Sequence, residues 1–425
     1  MGKRRFYLGR LARVLWLRAG LFALIAVGAA LLAQALSPLA PAGLVGVLRD
    51  EAVEDLLGVL ASSMLAVATF SLATLVASAA AVTTNASPRA AALMLEDRSA
   101  QGALSAFIAA FVFSIVGLIA TGLNVYSREA LFILFIETLL IIGYVVVRLL
   151  GWVDQLSRIG RVGEAVGRVE AATRHALHQR RSFLGGAPAR EVPSDAVEVR
   201  GASVGYVQHV DVGRLQALAD RHGLTVHLTV LPGAFAPPSR EVLRVQGAAD
   251  DALMRKLQGA VVIGATRTYD QDPRFGLVVL GEIASRALSP AINDPGTAIG
   301  VVGALVRLLG EWADHHDVEP PRPRYPRVFV PPLSAADLFE DAFRPMARDA
   351  ARTIEVGVVL QKALGDLATA SAPGFRRAAR AQSSRALALA LPELPLPADR
   401  AELRRLAARV GRSSDRDQVG RDRLA

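Results

Sequence analysis

The sequence predicts a membrane protein with four transmembrane α-helices, followed by a cytoplasmic α+β domain with a helical C-terminal part. Three observations lead there. Apolar residues fill 52% of the 425 positions, a share above that of ordinary soluble chains, and the excess is concentrated in the first third. Four apolar runs in that third are each long enough to cross a hydrocarbon core of roughly 30 Å. Past Trp152 the pattern changes to short alternating stretches between helical ones, as in a mixed domain.

The four runs are Ala19–Leu36, Leu57–Thr83, Leu104–Val125 and Leu131–Leu150, and they place a transmembrane domain over residues 1–152. The basic start MGKRRFYLGRLARVLWLR resembles a signal peptide, but three further runs follow, so a retained first helix is expected. Arginine sets the orientation, since Lys3, Lys256 and Lys362 are the only lysines behind a net charge of +9. Arg4, Arg5, Arg10 and Arg13 precede the first run, Arg89 and Arg98 lie between the second and third, and Arg148, Arg158, Arg161 and Arg168 follow the fourth. The loop before the second run is acidic instead, with Asp50, Glu51, Glu54 and Asp55 against Arg49. Both termini are therefore expected in the cytoplasm.

Inside the bilayer, Ser63, Ser71, Thr74 and Ser78 share one helical quadrant of the second run. Such a hydroxyl face suits either close packing or the wall of a polar pathway. Ala106, Ala110, Ser114, Gly117 and Thr121 form a small-residue stripe on the third run, better suited to packing. Glu137 is the one ionisable residue deep in a run, and a carboxylate there needs protein, water or a proton.

Residues 153–183 read as an amphipathic juxtamembrane helix whose arginines reach anionic lipid headgroups. Leu184–Ser194 reads as a linker to an α+β domain over residues 195–410. That domain alternates: strand Ala196–His209, helix Val212–His222, strand Leu224–Leu231, strand Glu241–Gln246, helix Asp250–Leu257, strand Ala260–Thr266. A short strand at Arg327–Val330 precedes helices broken near Ala372-Pro373 and at Pro392–Pro397, and residues 411–425 read as a disordered tail.

Between these lies the stretch TRTYDQDPRFGLVVLGEIASRALSPAINDPGTA, Thr266–Ala298. Asp272-Pro273 and Asp294-Pro295 each precede an apolar periodic run, and Asp at the cap with Pro at the first helical position marks a helix start. The candidate ligand-site residues are Tyr269, Asp270, Asp272, Glu282, Arg286, Asn293 and Asp294. Glu282 and Arg286, four apart, suit a helix-surface ion pair. The acidic members could together hold a hard cation or a basic ligand, if their loops meet, or serve only as caps.

No catalytic residue set is legible. The chain has no phosphate loop, dinucleotide fingerprint, HExxH helix or GxSxG elbow, and the absence of cysteine excludes disulfides and thiol nucleophiles. His175 and His178 share a helix face but make a weak metal signal, and His315-His316 fall in a loop. Gly205–Val245 faintly resembles half of a biotinyl- or lipoyl-type barrel without the lysine such domains modify, so no cofactor is expected. No nucleic-acid module accompanies the basic charge.

The string QDPRFGLVVLGEIASRALSPAINDPGTA resembles the signature of DUF2254, a bacterial family of predicted membrane proteins of unknown function. TFSLATLVASAAAVTTNASPRAA resembles its second span and the Ser-Pro-Arg after it, and SVGYVQHVDVGRLQALA its cytoplasmic entry segment. One departure is Ala291, where many members are expected to carry glycine. The resemblance implies a multispan inner-membrane protein with a cytoplasmic domain, and no established functional residues. Three functions compete: a homo-oligomeric channel- or transporter-like protein regulated by its cytoplasmic domain, a membrane-anchored scaffold or ligand sensor, and a membrane-bound enzyme. The first leads at this stage, on Glu137 and the hydroxyl face, and an enzyme ranks last.

Overall fold

The computed structural model describes residues 6, 15–41, 49–95, 98–156, 161–182, 186–314, 323–370 and 372–412. Arg4, Arg5, Arg10, Arg13, Arg158, His315, His316 and the tail beyond Arg412 lie outside these residues. The chain forms two compact units. A helical unit takes residues 7–82 and 91–161, and an α/β unit takes residues 1–6, 83–90 and 162–425.

The helical unit is built from α1 (Leu15–Ala35), α2 (Asp50–Asn85), α3 (Pro88–Leu95), α4 (Arg98–Gly122) and α5 (Arg128–Leu156). α1 packs on α4 and α5, and Ala26, Ala30 and Ala33 share a core with Phe113, Leu131 and Leu134. Ala106, Ala110, Ser114, Gly117 and Thr121 are all buried on α4, so the small-residue stripe is a packing surface. A second core joins Leu60, Met64, Ala68 and Leu75 of α2 to Leu104, Phe107, Val145 and Trp152. The outer surface is apolar: Leu24, Leu39, Val59, Phe70, Leu123, Leu140, Val147 and Leu150 are each more than half exposed. Water does not tolerate so large an apolar surface, whereas a bilayer is its natural solvent.

α2 differs from its expected limits. Residues 50–55, read as an acidic loop, form its first turns. Carboxylates there favour helix, because the N-terminal backbone N–H groups carry partial positive charge. With 36 residues the helix runs to ~54 Å, well beyond a hydrocarbon core.

The α/β unit begins with α6 (Val162–Ser182). Within the stretch expected as a juxtamembrane helix, α5 runs to Leu156 and α6 opens at Val162. Strands β1 (Gly186–Pro188), β2 (Val197–Arg200), β3 (Gly205–Val210), β4 (Thr225–Leu228), β5 (Phe235–Ala236), β6 (Glu241–Gln246), β7 (Val261–Gly264) and β8 (Tyr325–Val330) form two sheets. The larger has the order β1-β8-β4-β6-β2, with β8 parallel to β1 and β4 and the other pairs antiparallel. The smaller has the antiparallel order β5-β3-β7. β1 lies within the stretch read as a linker, and the single strand expected over Ala196–His209 is two strands in different sheets. Gly205, at φ +152, makes that break against the Gly264 backbone, where a side chain would collide.

α7 (Val212–His222) and α8 (Asp251–Gln258) contribute Leu215, Ala219, Leu253 and Leu257 to the sheet core, beside Val226, Val242, Leu243 and Val328. Both start at an aspartate cap: Asp211 accepts from the N–H of Arg214 and Asp250 from that of Leu253. α9 (Pro273–Ala287), α10 (Pro295–Asp314), α11 (Ala335–Asp349), α12 (Ile354–Leu367), α13 (Pro373–Ala390) and α14 (Pro397–Arg412) complete the unit.

α9 is the hub, packed against α6, α10 and α11. Gly276 sits where it meets α6, and a Cβ there would run into the buried side chain of Thr173. α6 is correspondingly a packed helix, with Ala165, Val166, Val169, Ala176 and Leu177 buried. Its arginines, expected at headgroups, find protein acceptors in three cases. Arg168 bonds Glu164 at 2.9 Å, Arg174 bonds Glu170 at 2.8 Å and Glu311 at 2.9 Å, and Arg180 donates to the Pro331 carbonyl. His175 and His178 are exposed and take separate partners, Gln179 and Glu311.

Five helices among the described residues are long and apolar enough to cross a membrane: α1, α2, α4, α5 and α10. The fifth belongs to the α/β unit and packs against α6, α9 and α12. Glu170 ties it to α6, accepting from Arg307 at 2.7 and 2.9 Å. The bonds from Arg307, then Arg174, hold the Glu170 carboxyl below its ordinary pKa despite its burial. A depressed carboxylate pKa means stability that is complete above the unfolded value and lost as the pH falls through the folded one. Hydrogen exchange of Val162–Ser182 should therefore quicken as the pH is lowered through the glutamate range, after correction for the intrinsic rate. Glu170→Gln should remove most of that acid sensitivity; an unchanged profile would show that the pair contributes nothing.

Candidate ligand groove

The site follows from how the Thr266–Ala298 stretch folds. Asp272 caps α9 by accepting from the N–H of Phe275 at 3.1 Å, and Pro273 takes the first helical position. It is also gripped by both arms of Arg267, at 2.7 and 3.0 Å, and is 2% exposed. Burial pushes its pKa up, with the Arg267 pair opposing. At the other end Ser289–Asp294 reverses the chain: Asn293 adopts φ +50 and the N–H of Asp294 closes on Ala287 O at 2.8 Å. Asp294 then accepts from the N–H of Thr297 at 3.0 Å and its hydroxyl at 2.6 Å, which caps α10 and lowers the carboxyl pKa.

Asp272 and Asp294 thus flank a 15-residue helix of ~22 Å as caps. Asp270, half-buried, lies in the bend before α9. Among the described residues no group of three or more His, Asp or Glu side chains could hold a metal ion.

Three other candidates converge on a segment that sequence spacing does not connect to them. Thr83–Ala90, which joins α2 to α3, is part of the α/β unit. Glu282 accepts from Ser87 Oγ at 3.0 Å and pairs with Arg89. Arg286, expected to pair with Glu282, donates its Nε to the carbonyl of Thr84 at 2.6 Å. The Tyr269 hydroxyl donates to the carbonyl of Arg89 at 3.2 Å, with its ring packed 4.6 Å from that of Phe275. Glu282 raises the already high pKa of Arg89, which stays charged.

The segment walls a groove of about 700 Å³, lined by Thr84–Arg89, Glu282, Ser285, Arg286, Ser289, Ala291, Ile292, Pro345 and Arg348. That volume falls in the range of small-molecule sites. Its surface combines apolar patches (Ala86, Pro88, Ala291, Ile292, Pro345) with three arginines and one carboxylate. Among the described residues that line it there is no nucleophile–base–orienter set. Thr84, Ser87, Arg89 and Arg348 are among the groove residues that sequence reasoning missed. The one available signal was the Asn-Ala-Ser-Pro-Arg break between two long apolar runs.

In the helical unit Ser71 and Ser78 are buried, Thr74 half-buried and Ser63 exposed, so the hydroxyl stripe runs from the packed face of α2 to its edge. Glu137 is half-buried on α5. Among the described residues, the enclosed Glu137 Oε2, Ser71 Oγ and Ser78 Oγ have no hydrogen-bond partner.

The family model described as Predicted membrane protein (DUF2254) matches residues 12–366. The chain belongs to this family. Both strings that wall the groove, TTNASPR and RALSPAI, fall inside the match. The uncharacterized proteins Mb1321c of Mycobacterium bovis and Rv1290c of Mycobacterium tuberculosis are each 38% identical over 119 residues, 27% of this chain and 23% of theirs. The chain thus matches less than a quarter of the length of these curated relatives. No solved structure matches.

The capping geometry of Asp294 gives a direct expectation. Asp294→Ala should destabilise the protein by about 1 kcal/mol, the usual effect of a lost cap, read as a lower unfolding midpoint. Asp294→Asn should retain most of it, because an amide oxygen still accepts the Thr297 N–H. Equal losses in the two variants would assign Asp294 a role other than capping.

Proposed function

We propose that this is a ligand-responsive integral membrane protein, in which the α/β unit binds a small molecule and passes its state to the membrane helices through α2. The supporting observation is that Thr84–Arg89, continuous with α2, forms one wall of the groove and is bonded to Glu282, Arg286 and Tyr269. It supports the sensor reading more directly than the channel reading. In this proposal α1, α2, α4 and α5 span the inner membrane and both termini and the α/β unit are cytoplasmic. α10 is a core helix, because Val301, Val302, Leu305, Leu308 and Leu309 are buried and Arg307 and Glu311 bond α6. Arg161, exposed between α5 and α6, is the arginine proposed to meet anionic headgroups.

The lack of cysteine makes single-cysteine labelling a clean test. With a membrane-impermeant reagent on intact spheroplasts, Ala40→Cys should label from outside. With a membrane-permeant maleimide, a cysteine at Ser78 should label several-fold faster when Glu282→Ala removes the acceptor of the Ser87 and Arg89 bonds. Protection of residue 40 would reject the topology, and an unchanged rate at residue 78 would reject the coupling.

A second reading has its own support. Among the described residues Glu137 Oε2, Ser71 Oγ and Ser78 Oγ are enclosed without partners, and polar groups within a bilayer are generally satisfied by protein or water. That favours a channel- or transporter-like homo-oligomer in which neighbouring copies or a water path supply the partners. Purified protein in liposomes should then pass ions or small solutes, with the flux altered by Glu137→Gln; liposomes no leakier than empty ones would end this reading.

A further inference from the structure

We propose that the groove binds a phosphate-bearing anion, held by Arg286 and Arg348, with Arg89 exchanged from Glu282 onto the ligand. The inference deepens the ligand-responsive reading above and rests on it. Its basis is the distribution of charge. A second cavity of about 430 Å³ adjoins the groove, sharing Pro345 and Arg348 and adding Arg344 and Arg385. Among the described residues the two are lined by five arginines, and Glu282 is the single carboxylate in either lining.

Carboxylates just outside the linings compensate part of this charge. Arg348 bonds the adjacent Asp349 at 2.7 and 2.9 Å, while Glu340 pairs with Arg344 and lies 3.8 Å from Arg385. Arg286 stands differently, since it donates to a neutral acceptor, the Thr84 carbonyl, at 2.6 Å. The Arg89 and Arg348 side chains are 56% and 69% exposed, so a ligand reaches them without unfolding anything. Guanidinium groups bind phosphate oxygens through paired, charge-assisted N–H donors, which suits arginine to this ligand class. Ser285 lines the same groove with its hydroxyl, while the Ser289 hydroxyl beside it donates to the Arg286 carbonyl at 2.7 Å.

The geometry also indicates how binding reaches α2. Arg89 is held by Glu282, whose other oxygen accepts from Ser87. A phosphate that draws Arg89 away leaves Glu282 with Ser87 alone and loosens the segment that follows α2. Ligand and Glu282 compete for one guanidinium, so binding and release of the segment are linked.

The phosphate has two possible sources, a free phosphorylated solute and an anionic phospholipid headgroup. The test uses full-length protein in phosphatidylcholine nanodiscs and reads the unfolding midpoint. In one arm inorganic pyrophosphate is titrated against sodium chloride at matched ionic strength. In the other, phosphatidylglycerol replaces part of the phosphatidylcholine. A raised midpoint is expected in at least one arm, and which arm responds identifies the source. Arg286→Gln and Arg348→Gln should each weaken the response about tenfold, the scale of one charge-assisted hydrogen bond. Arg352→Gln, whose partner is Glu393, should leave it unchanged.

A measurement on the unaltered chain covers variants that fail to fold. Phenylglyoxal modification, mapped by mass spectrometry, should be slowed at Arg286 and Arg348 by the active probe and unaffected at Arg352. No midpoint shift in either arm, a shift that survives the Arg286→Gln/Arg348→Gln pair, or uniform arginine protection each overturns the assignment. Labelling at residue 78 needs no added ligand, so the coupling can stand if anion binding fails.

Discussion

Helix α9 is apolar around nearly its whole circumference, and the α/β unit is arranged to enclose it. Phe275, Leu277, Val279, Leu280, Ile283, Ala284 and Ala287 are all buried, which no single neighbour achieves. Three helices, α6, α10 and α11, close on it, and two glycines set how near they come. Gly276 admits Thr173 of α6; at Gly281 an added Cβ would lie 3.3 Å from the Asp341 carbonyl oxygen on α11. The few polar side chains of α9 then emerge where neighbours leave room. Arg274 reaches Asp337 and Asp341 at 2.6 and 2.5 Å, and Glu282, Ser285 and Arg286 open on the groove. The groove lies where the enclosure of a hydrophobic helix stops.

What was legible in the sequence is what local chemistry decides. Asp272-Pro273 and Asp294-Pro295 marked both helix starts, because cap and first-turn preferences act within four residues. The limits of α7 and β6 follow directly from periodicity. Reading failed where distant partners decide. Gly186–Pro188 has the composition of a linker and becomes a strand because β8 offers it a parallel edge. The acidic start of α2 was read by its charge as a loop, although the same charge favours a helix N-terminus. Glu282 and Arg286 were matched to each other by spacing, yet each has a partner about two hundred residues away in the chain.

The bonds of Glu282 and Arg286 differ in kind. Glu282 meets a cation and a hydroxyl, so removing either partner leaves a charged acceptor short of donors. Arg286 meets a backbone carbonyl that any residue at position 84 would supply. The first arrangement specifies side chains at 87 and 89, and the second specifies only a backbone path. Exposed ion pairs add little stability, so the interest of the Arg89–Glu282 pair lies in which segments it holds together.

The separation of these partners along the chain has a consequence for synthesis. Ser87 and Glu282 are 195 positions apart, and Arg286 lies 202 from Thr84. As the ribosome delivers the chain from its N-terminus, α1 through α5 are complete long before α9 exists. The Thr84–Arg89 stretch must therefore wait, with its polar groups in water, until α9 has been made and enclosed. Closure of the groove is a late step of assembly, and a chain truncated before Glu282 has the stretch but not the carboxylate that receives it.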